Sequence, residues 1–486
     1  MSSGIVSWGV HLPFWRLQRS AIGSTLGSPA GRGSRTAASH DEDTTTMGVE
    51  AARRALAALA ALDGDRPEEL LFSTPAPAYL DKTNATAIYA ALGLSEFGGA
   101  YDLIGSVRSG IGALRAAAAL ADGRRTMAVL SDLRTGFAGS PDEREGGDGA
   151  VAFVFGDEGA VGEVIASVST SGEFLDRWRV PGETRSRQWE ERFGQEAYTP
   201  LIEAAFTEAL KSAAVTADEL DHVVVAGLHQ RAVKAATLSF GVRSEAMAPD
   251  LTLRIGNLGA AHVGVALAEV LDRAEPGELI AVALLADGAD VMILRVTPAL
   301  LTARTARQEV GAPTVAELIA AGRDDLPYAR FLTWRGELKR EPPRRPDPER
   351  PGAPATWRST SWKSGFNASR CTACGFRHLP PTRICLRCKA IDQMEKERLA
   401  DRQGQVATFT IDHLAFSMSP PLVGVVVDFD GGGRYRCELT DVDPADVAIG
   451  MRVEMTFRRI WTAQGVHNYF WKARPVAALA AHGDAE

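Results

Sequence analysis

The chain is 486 residues long, room for about three domains at about 100–200 residues each, and its 45% hydrophobic and 23% charged content excludes extended disorder over most of its length. Lys and Arg number 53 against 61 Asp and Glu, a net charge of −8. That balance argues against a large sequence-independent nucleic-acid surface, because such binding runs on phosphate neutralisation.

The amino-terminal stretch MSSGIVSWGVHLPFWRL lacks a charged segment followed by a long apolar one, and no apolar run approaches the ~18 residues that cross a bilayer. All five cysteines lie at Cys371, Cys374, Cys385, Cys388 and Cys437, so no disulfide can hold the first 370 residues. Both features predict a cytoplasmic protein without a membrane partner.

In chain order, the apolar run Gly4 to Val10 predicts a strand, and Met47 to Leu62 an amphipathic helix. In the helix Val49, Ala52, Leu56, Leu59 and Leu62 recur at three- and four-residue steps, the stripe of a helix docked on a sheet. MAVLSD (Met127 to Asp132) precedes GGDGAVAFVFGD (Gly146 to Asp157), and VVVAGL (Val223 to Leu228) precedes ELIAVALLADGADVMILRV (Glu278 to Val296). Two halves that each end in a glycine-bearing strand pair suggest an α/β unit built by duplication.

EPPRRPDPERPGAPAT (Glu341 to Thr356) has prolines and charges without periodicity and is expected to be a linker at the main domain boundary. CTACGFRHLPPTRICLRC follows, with two C-x-x-C pairs ten residues apart. Four thiolates from two tight knuckles suit one structural Zn²⁺, with Cys371, Cys374, Cys385 and Cys388 as ligands and His378 a bystander. A redox dithiol would need only one such pair. Beyond it, Gly404 to Phe416, Pro420 to Val442 and Gly450 to Trp461 are β-branched and aromatic runs separated by turn residues, the pattern of a small all-β barrel. Cys437 in YRCELTDV is expected to be a buried small hydrophobe.

The ribbon, followed by DFDGGGRYRCELTDVDPADVAIGMRVEMTF, resembles the zinc-ribbon and OB-fold module that accompanies thiolase-superfamily enzymes. SGIVSWGVHLPFWRL, DEDTTTMGVEAARRAL, YLDKTNATAIYAALGL and RIGNLGAAHVGVALAEVL are similar to hydroxymethylglutaryl-CoA synthases and related ketoacyl synthases. The resemblance implies a duplicated five-layer α/β fold with halves at 1–165 and 166–300, a linker or wrap over 301–365, a zinc ribbon over 366–400 and an OB-fold domain over 401–478. It also implies a homodimer, and an acyl-CoA or carrier-bound acyl group as substrate.

In that family a cysteine at a helix start takes the acyl group, a histidine and an asparagine bind the developing oxyanion, and a glutamate is the general acid/base. Aligning YDLIGSVRSGIGALRAA through Gly110 and Leu114 puts the cysteine position on Val107. Aligning DKT at Asp81 to Thr83 puts the glutamate on Ser73. GLHQRAVKAA puts the histidine on His229 and IGNLGAAH puts the asparagine on Asn257.

A valine cannot be acylated and a serine cannot replace a carboxylate as an acid. The remaining candidates are His229 and Asn257 as oxyanion donors, Ser106 as a displaced nucleophile or a helix cap, and Tyr79, Tyr101 or Tyr198 as a phenolic acid/base. Asp148, in GGDGA, sits among glycines expected to allow close backbone approach rather than phosphate binding. Three functions follow: acyl transfer or C–C bond formation without a cysteine nucleophile, an aldolase-type lyase acting on a β-hydroxyacyl-CoA, and a non-catalytic acyl-CoA-binding scaffold.

Overall fold

The computed structural model describes residues 3–29, 31–344, 346 and 348–476. They form two units. One comprises the residues up to Ala38, Met47–Thr86 and Leu94–Tyr328, and the other comprises Ser39–Thr46, Ala87–Gly93 and the residues from Ala329 onward. Of the stretch Glu341 to Thr356, where the sequence places the boundary, 341–352 hold no helix or strand among the described residues, but the helix Ala353–Lys363 begins inside it and the two units divide earlier, between Tyr328 and Ala329. Helices occupy much of the flanking chain, at Ala299–Glu309, Val315–Ala320, Tyr328–Trp334 and Ala353–Lys363. Among the described residues no helix is long and apolar enough to cross a membrane.

The first unit is built on β1 (Gly4–His11), β2 (Glu69–Thr74), β3 (Gly99–Ile104), β4 (Thr126–Leu133), β5 (Asp148–Gly156), β6 (Gly162–Ser171), β7 (His222–Gly227), β8 (Leu279–Leu285) and β9 (Gly288–Val296). They form one sheet in the order β7-β8-β9-β6-β1-β5-β4-β2-β3. In the first half β2 runs parallel to β3 and β4, while β4 with β5 and β5 with β1 are antiparallel. The second half repeats the pattern: β7 with β8 is parallel, β8 with β9 and β9 with β6 antiparallel. A single parallel bridge from Val223 to Met247 stands where β3 stands in the first half.

The duplication is therefore present, but its partners differ from the sequence pairing. VVVAGL is β7, the counterpart of β2, and the true counterparts of β4 and β5 are the adjacent strands β8 and β9. The sequence pairing erred because a buried strand such as AVALL reads as one apolar run with its neighbour when only a short turn separates them.

Helices α1 (Thr44–Ala60), α2 (Arg108–Leu120), α3 (Glu191–Ala213), α4 (Gln230–Ser239) and α5 (His262–Leu271) complete the layers. α2 packs on β2, β3, β4 and β5 and also reaches β8, while α5 packs on β7 and β8 and also on β1 and β5, so the pair fills the space between the half-sheets. α1 covers the outer face of the first half: a Cβ on Gly9 of β1 would lie 2.3 Å from the Ala51 carbonyl oxygen. α3 and α4 cover the second half, where Phe206 stacks on Phe240 at 3.9 Å in a core with Ile202, Val223 and Ile293. This makes five layers, with α5 buried along nearly its whole length and α2 burying Gly110, Ile111, Ala113, Leu114, Ala117 and Ala118 between the half-sheets.

The second unit holds a three-stranded ribbon and a five-stranded sheet. The ribbon strands are β10 (Asn367–Cys371), β11 (Arg377–His378) and β12 (Met394–Arg398), in the order β11-β10-β12. β13 (Gly404–Asp412), β14 (Leu422–Phe429), β15 (Arg434–Glu438), β16 (Arg452–Ala463) and β17 (Val466–Pro475) lie in the order β15-β14-β13-β16-β17. A parallel bridge from Leu439 to Ala473 joins the ends, closing the strands into an OB barrel.

Within this unit Arg458, fully buried, lies 3.0 Å from Glu42, 3.4 Å from Asp41 and in contact with Asp441. Lys472 pairs with Asp41 at 2.9 Å and Glu438 at 2.6 Å. The four carboxylates outnumber the two cations, and Asp441 takes the consequence: burial pushes its pKa up to about 6, against the pull of Arg458 and with help from Glu42 and Asp41.

A raised folded-state pKa means that the fold favours neutral Asp441. Its contribution to stability is complete below 3.8, the ordinary aspartate value, and is lost as the pH rises through about 6. We expect Asp441→Asn to unfold at the same temperature as the parent at about pH 3.5, below the ordinary aspartate value, and to be more stable by on the order of 1–3 kcal/mol at pH 8. Thermal denaturation of both chains at the two pH values checks this, and a variant less stable at pH 8 would contradict it.

Candidate active site and cysteine cluster

The C-terminal ends of β2, β3, β4, β7 and β8 open on one side of the first unit, where α/β sheets place their ligands. The cavity there, about 500 Å³, is lined by Pro75, Ser106, Val107, Arg134, Asp176, Arg179, Tyr198, His229 and Asp287 among others. Val107 is the N-cap residue of α2 and is almost fully buried, so the position aligned with the cysteine does lie at a helix start on the cavity wall. Ser106 lines the cavity too, and its hydroxyl accepts a hydrogen bond from the Arg108 N–H at 3.2 Å.

His229 caps α4. Its Nδ1 accepts from the Ala232 N–H at 3.1 Å, so the neutral ring carries its proton on Nε2. Tyr198, on α3, donates its hydroxyl to Asp176 Oδ2 at 3.3 Å and accepts from the Asp287 N–H at 3.3 Å. The Tyr198 and His229 rings lie 5.9 Å apart. Burial, and then the neighbouring Asp176 charge, push the Tyr198 phenol well above its ordinary pKa. The phenol is therefore a neutral donor at physiological pH.

Asp176 is 8% exposed, and its second oxygen, Oδ1, is buried without a hydrogen-bond partner. Gly194 brings α3 against both groups: a Cβ there would lie 2.6 Å from His229 Nε2 and 3.2 Å from Asp176 Oδ1. Gly194 and Tyr198 stand one helical turn apart on the same face of α3.

Asn257 is not among the residues that line the cavity. Its Nδ2 donates to the Gly227 carbonyl at 2.8 Å and its Oδ1 accepts from the Gly259 N–H at 3.0 Å, which ties the end of β7 two residues before His229. Ser73, the position aligned with the glutamate, is fully buried in β2 and does not line the cavity. Tyr79 and Tyr101 do not line it either. Asp148 is a structural anion: it pairs with fully buried Arg35 at 3.1 Å and accepts from the Ala38 N–H. Its glycine neighbours allow close backbone approach, since a Cβ on Gly147 would lie 2.1 Å from the Ile255 carbonyl oxygen.

Asp176 escapes a sequence reading. It lies in GEFLDRWRV, an aperiodic stretch after β6, and only the burial of its Oδ1 without a hydrogen-bond partner marks it.

In the second unit the Sγ atoms of Cys371, Cys374, Cys385 and Cys388 lie within 4.8 Å of one another. Cys371 and Cys388 are 3.6 Å apart, Cys374 and Cys385 3.5 Å. Around a metal with four sulfurs at about 2.3 Å the expected S–S edge is about 3.8 Å, so the cluster fits a tetrahedral ion. The knuckles repeat one turn: Gly375 N–H bonds the Cys371 carbonyl at 2.8 Å, and Lys389 N–H the Cys385 carbonyl at 2.9 Å. Both Gly375 and Lys389 have positive φ. The Cys388 N–H, and then His378, hold the Cys385 thiol below its ordinary pKa. Desolvation instead pushes the Cys437 thiol up to about 12, so it is protonated; the side chain is half-buried rather than the fully buried hydrophobe the sequence leads one to expect.

The duplicated sheet, with its cavity at the strand ends, and the ribbon with its OB barrel define a thiolase-like protein that carries an accessory module. The family model described as ChsH2, C-terminal OB-fold domain, matches residues 397–458. A hydroxymethylglutaryl-CoA synthase of Aeropyrum pernix is 30% identical over 350 residues, 69% of this chain and 95% of the relative. A DUF35 domain-containing scaffold protein of Methanocaldococcus jannaschii is 32% identical over 126 residues, 25% of this chain and 89% of the relative. Among solved structures, a hydroxymethylglutaryl-CoA synthase complexed with CoA superposes with a TM-score of 0.57 at 15% identity, covering 68% of this chain and 89% of the other. The chain belongs to the hydroxymethylglutaryl-CoA synthase family and is extended by a DUF35-type OB-fold region.

Asn257→Ala would leave the Gly227 carbonyl and the Gly259 N–H without partners in a buried site. At about 1–3 kcal/mol for each orphaned group, we expect a loss of about 2–4 kcal/mol, measured by urea unfolding of the full chain. A loss below about 0.5 kcal/mol would contradict the tethering role.

Proposed function

We propose that this chain makes or breaks a carbon–carbon bond next to the thioester of an acyl-CoA by aldol chemistry, without a covalent acyl-enzyme. The observation that supports this reading is Asp176 Oδ1, buried and unpartnered beside Tyr198 and His229, in a cavity where Val107 stands at the start of α2 and no thiol precedes residue 371. CoA enters the reading from the family and from its CoA-complexed structural relative.

In the synthetic direction Asp176 Oδ1 removes a proton from Cα of the acyl-CoA, and His229 Nε2–H holds the enolate oxygen. The Cα electron pair then attacks the carbonyl carbon of the second substrate, and the new alkoxide takes the Tyr198 hydroxyl proton. The proton on Asp176 passes to the Tyr198 phenolate, which restores both groups with no net proton gained or lost. Cleavage is the same path reversed: Tyr198 passes its own proton to Asp176 and takes the β-hydroxyl proton, the Cα–Cβ bond breaks with its pair going into the enolate, and Asp176 returns its proton to Cα. A neutral Tyr198 suits both directions, because its high pKa matches that of an alkoxide better than an ionised phenol would. In this reading Asn257 is a positioning residue that holds the strand end carrying His229, and Ser106 caps α2 rather than being acylated.

The four cysteines are assigned to a structural Zn²⁺, which with four sulfurs leaves no open position for catalysis. The full chain should carry about one zinc per molecule by elemental analysis, and Cys374→Ser should lose it. Metal at parent level in that variant would remove the assignment.

Incubation of the chain with β-hydroxyacyl-CoA thioesters should release free aldehyde or ketone, and acyl-CoA with a carbonyl compound should give the thioester back. Tyr198→Phe should lower kcat by about 10²–10⁴ with KM changed only a few-fold, and the peptide containing Ser106 should show no acyl mass shift. An acylated Ser106, or full activity in Tyr198→Phe, would refute the non-covalent mechanism. No turnover across a broad panel would favour a non-catalytic acyl-CoA-binding scaffold; the DUF35 relative is itself named a scaffold protein.

A further inference from the structure

Asp176 lines two cavities. The second, about 330 Å³, lies on its other side and is walled by Leu175, Trp189, Glu190, Phe193 and Gly194. Its large apolar side chains are open: Trp189 is 62% exposed, Phe193 58% and Leu175 48%. Single exposed hydrophobics are ordinary on a protein surface. Three around one chamber, beside a buried carboxylate, make a recess that presents apolar surface to a ligand.

The aromatic wall continues inward from it. Trp189 meets Trp178 edge-on at 6.1 Å, Phe193 meets Phe174 at 6.4 Å, and Phe174 meets Tyr198 at 4.8 Å. A chain of ring contacts thus links the open aromatic residues of the chamber to Tyr198, which itself lines the larger cavity, and Asp176 is the residue that both cavities share. Its wall comes from 174–198, the stretch that also supplies Asp176 and Tyr198.

We infer that this chamber takes an apolar, ring-sized substituent on the carbon that Tyr198 protonates or deprotonates, so the carbonyl partner is an aryl or alicyclic ketone or aldehyde. The inference rests on the aldol reading above and adds its substrate class. A geometric constraint supports it. The bond made or broken lies at Asp176, one substrate carries CoA, and the other must project away from the thioester; the larger cavity and the chamber are the two recesses that Asp176 borders. A methyl group would leave the chamber nearly empty, whereas a cavity of about 150 Å³ already takes benzene, and this one is about twice that volume.

The test compares two probes with and without catalysis. Calorimetric titration of the full chain with acetophenone and with acetone should show at least tenfold tighter binding of acetophenone, and the variant carrying both Trp189→Ala and Phe193→Ala should lose that preference. Both side chains are more than half exposed, and an unchanged thermal midpoint with each single variant run alongside guards against misfolding. In turnover, kcat/KM for the phenyl-substituted β-hydroxyacyl-CoA should exceed that for the methyl-substituted one, and the double variant should cut the ratio at least tenfold. Equal binding of the two ketones by the parent chain, or a ratio untouched by the double variant, would overturn the chamber assignment. Size-selective ketone binding without turnover of either thioester would leave the chamber standing and overturn the aldol reading instead.

Discussion

The close approach of α2 to the segment entering α5 governs the first unit. A Cβ on Gly110 would lie 2.4 Å from the Ala260 carbonyl oxygen, and one on Gly264 would lie 2.6 Å from Val151. These helices form the layer shared by the two half-sheets, and side chains on both, including Ile111, Leu114, Val263 and Leu267, belong to one core with Phe153 and Val282. Each such buried side chain contributes about 1.5–3 kcal/mol, and that burial is available only at this spacing. The spacing also fixes where α2 begins, and hence where Ser106 and Val107 meet the cavity. On the opposite side Arg108 and Arg115 both reach buried Asp290, at 2.8 and 3.0 Å, so the first two turns of α2 are held by charge as well as by packing.

Buried ions do comparable work in each unit taken separately. Asp148 with Arg35 in the first, and Arg458 with Asp41, Glu42 and Asp441 in the second, lie where irregular backbone has to be held still. Such pairs contribute little net stability, because desolvation offsets most of their attraction, but leaving one member unpaired costs about 3–5 kcal/mol. Their effect is specificity of arrangement. Asp148 accepts from the backbone N–H groups of both Ala38 and Arg134, and so ties two chain segments to the first residue of β5.

How much of this was legible in the sequence depended on whether a feature is local. Two C-x-x-C pairs state their own geometry, and the knuckles follow the same turn even though one ends in Gly375 and the other in Lys389. Alternating β-branched runs indicated the barrel, because β14 alternates between core and surface along its whole length and β16 does so at its start. The duplication was legible as a pattern and wrong in its pairing, since periodicity does not report which strand a run lies beside. His229 and Val107 reached the cavity through resemblance, whereas Asn257 turned out to brace the chain behind it. Asp176 and the aromatic wall around it had no pattern to be read, because a loop's chemistry is set by where the rest of the fold carries it.

In the proposed non-covalent reading, a valine at Val107, the position aligned with the family's cysteine, connects these observations. An enzyme that stores its acyl group on a cysteine can bind its two substrates in turn and use one pocket for both. Without covalent storage, the enolate and its carbonyl partner must be present together, because a thioester enolate that waits is reprotonated by water. The site then needs two recesses and a proton path between them. Val107 adds apolar wall to the larger cavity, Asp176 borders both recesses, and the Tyr198 hydroxyl donates to Asp176 Oδ2, the contact that would carry the proton in the proposed reaction. On this argument the lost nucleophile and the second chamber are one adaptation: removing the acyl-enzyme shifts the demand from covalent chemistry to simultaneous binding, and the segment 174–198 is where this chain meets it.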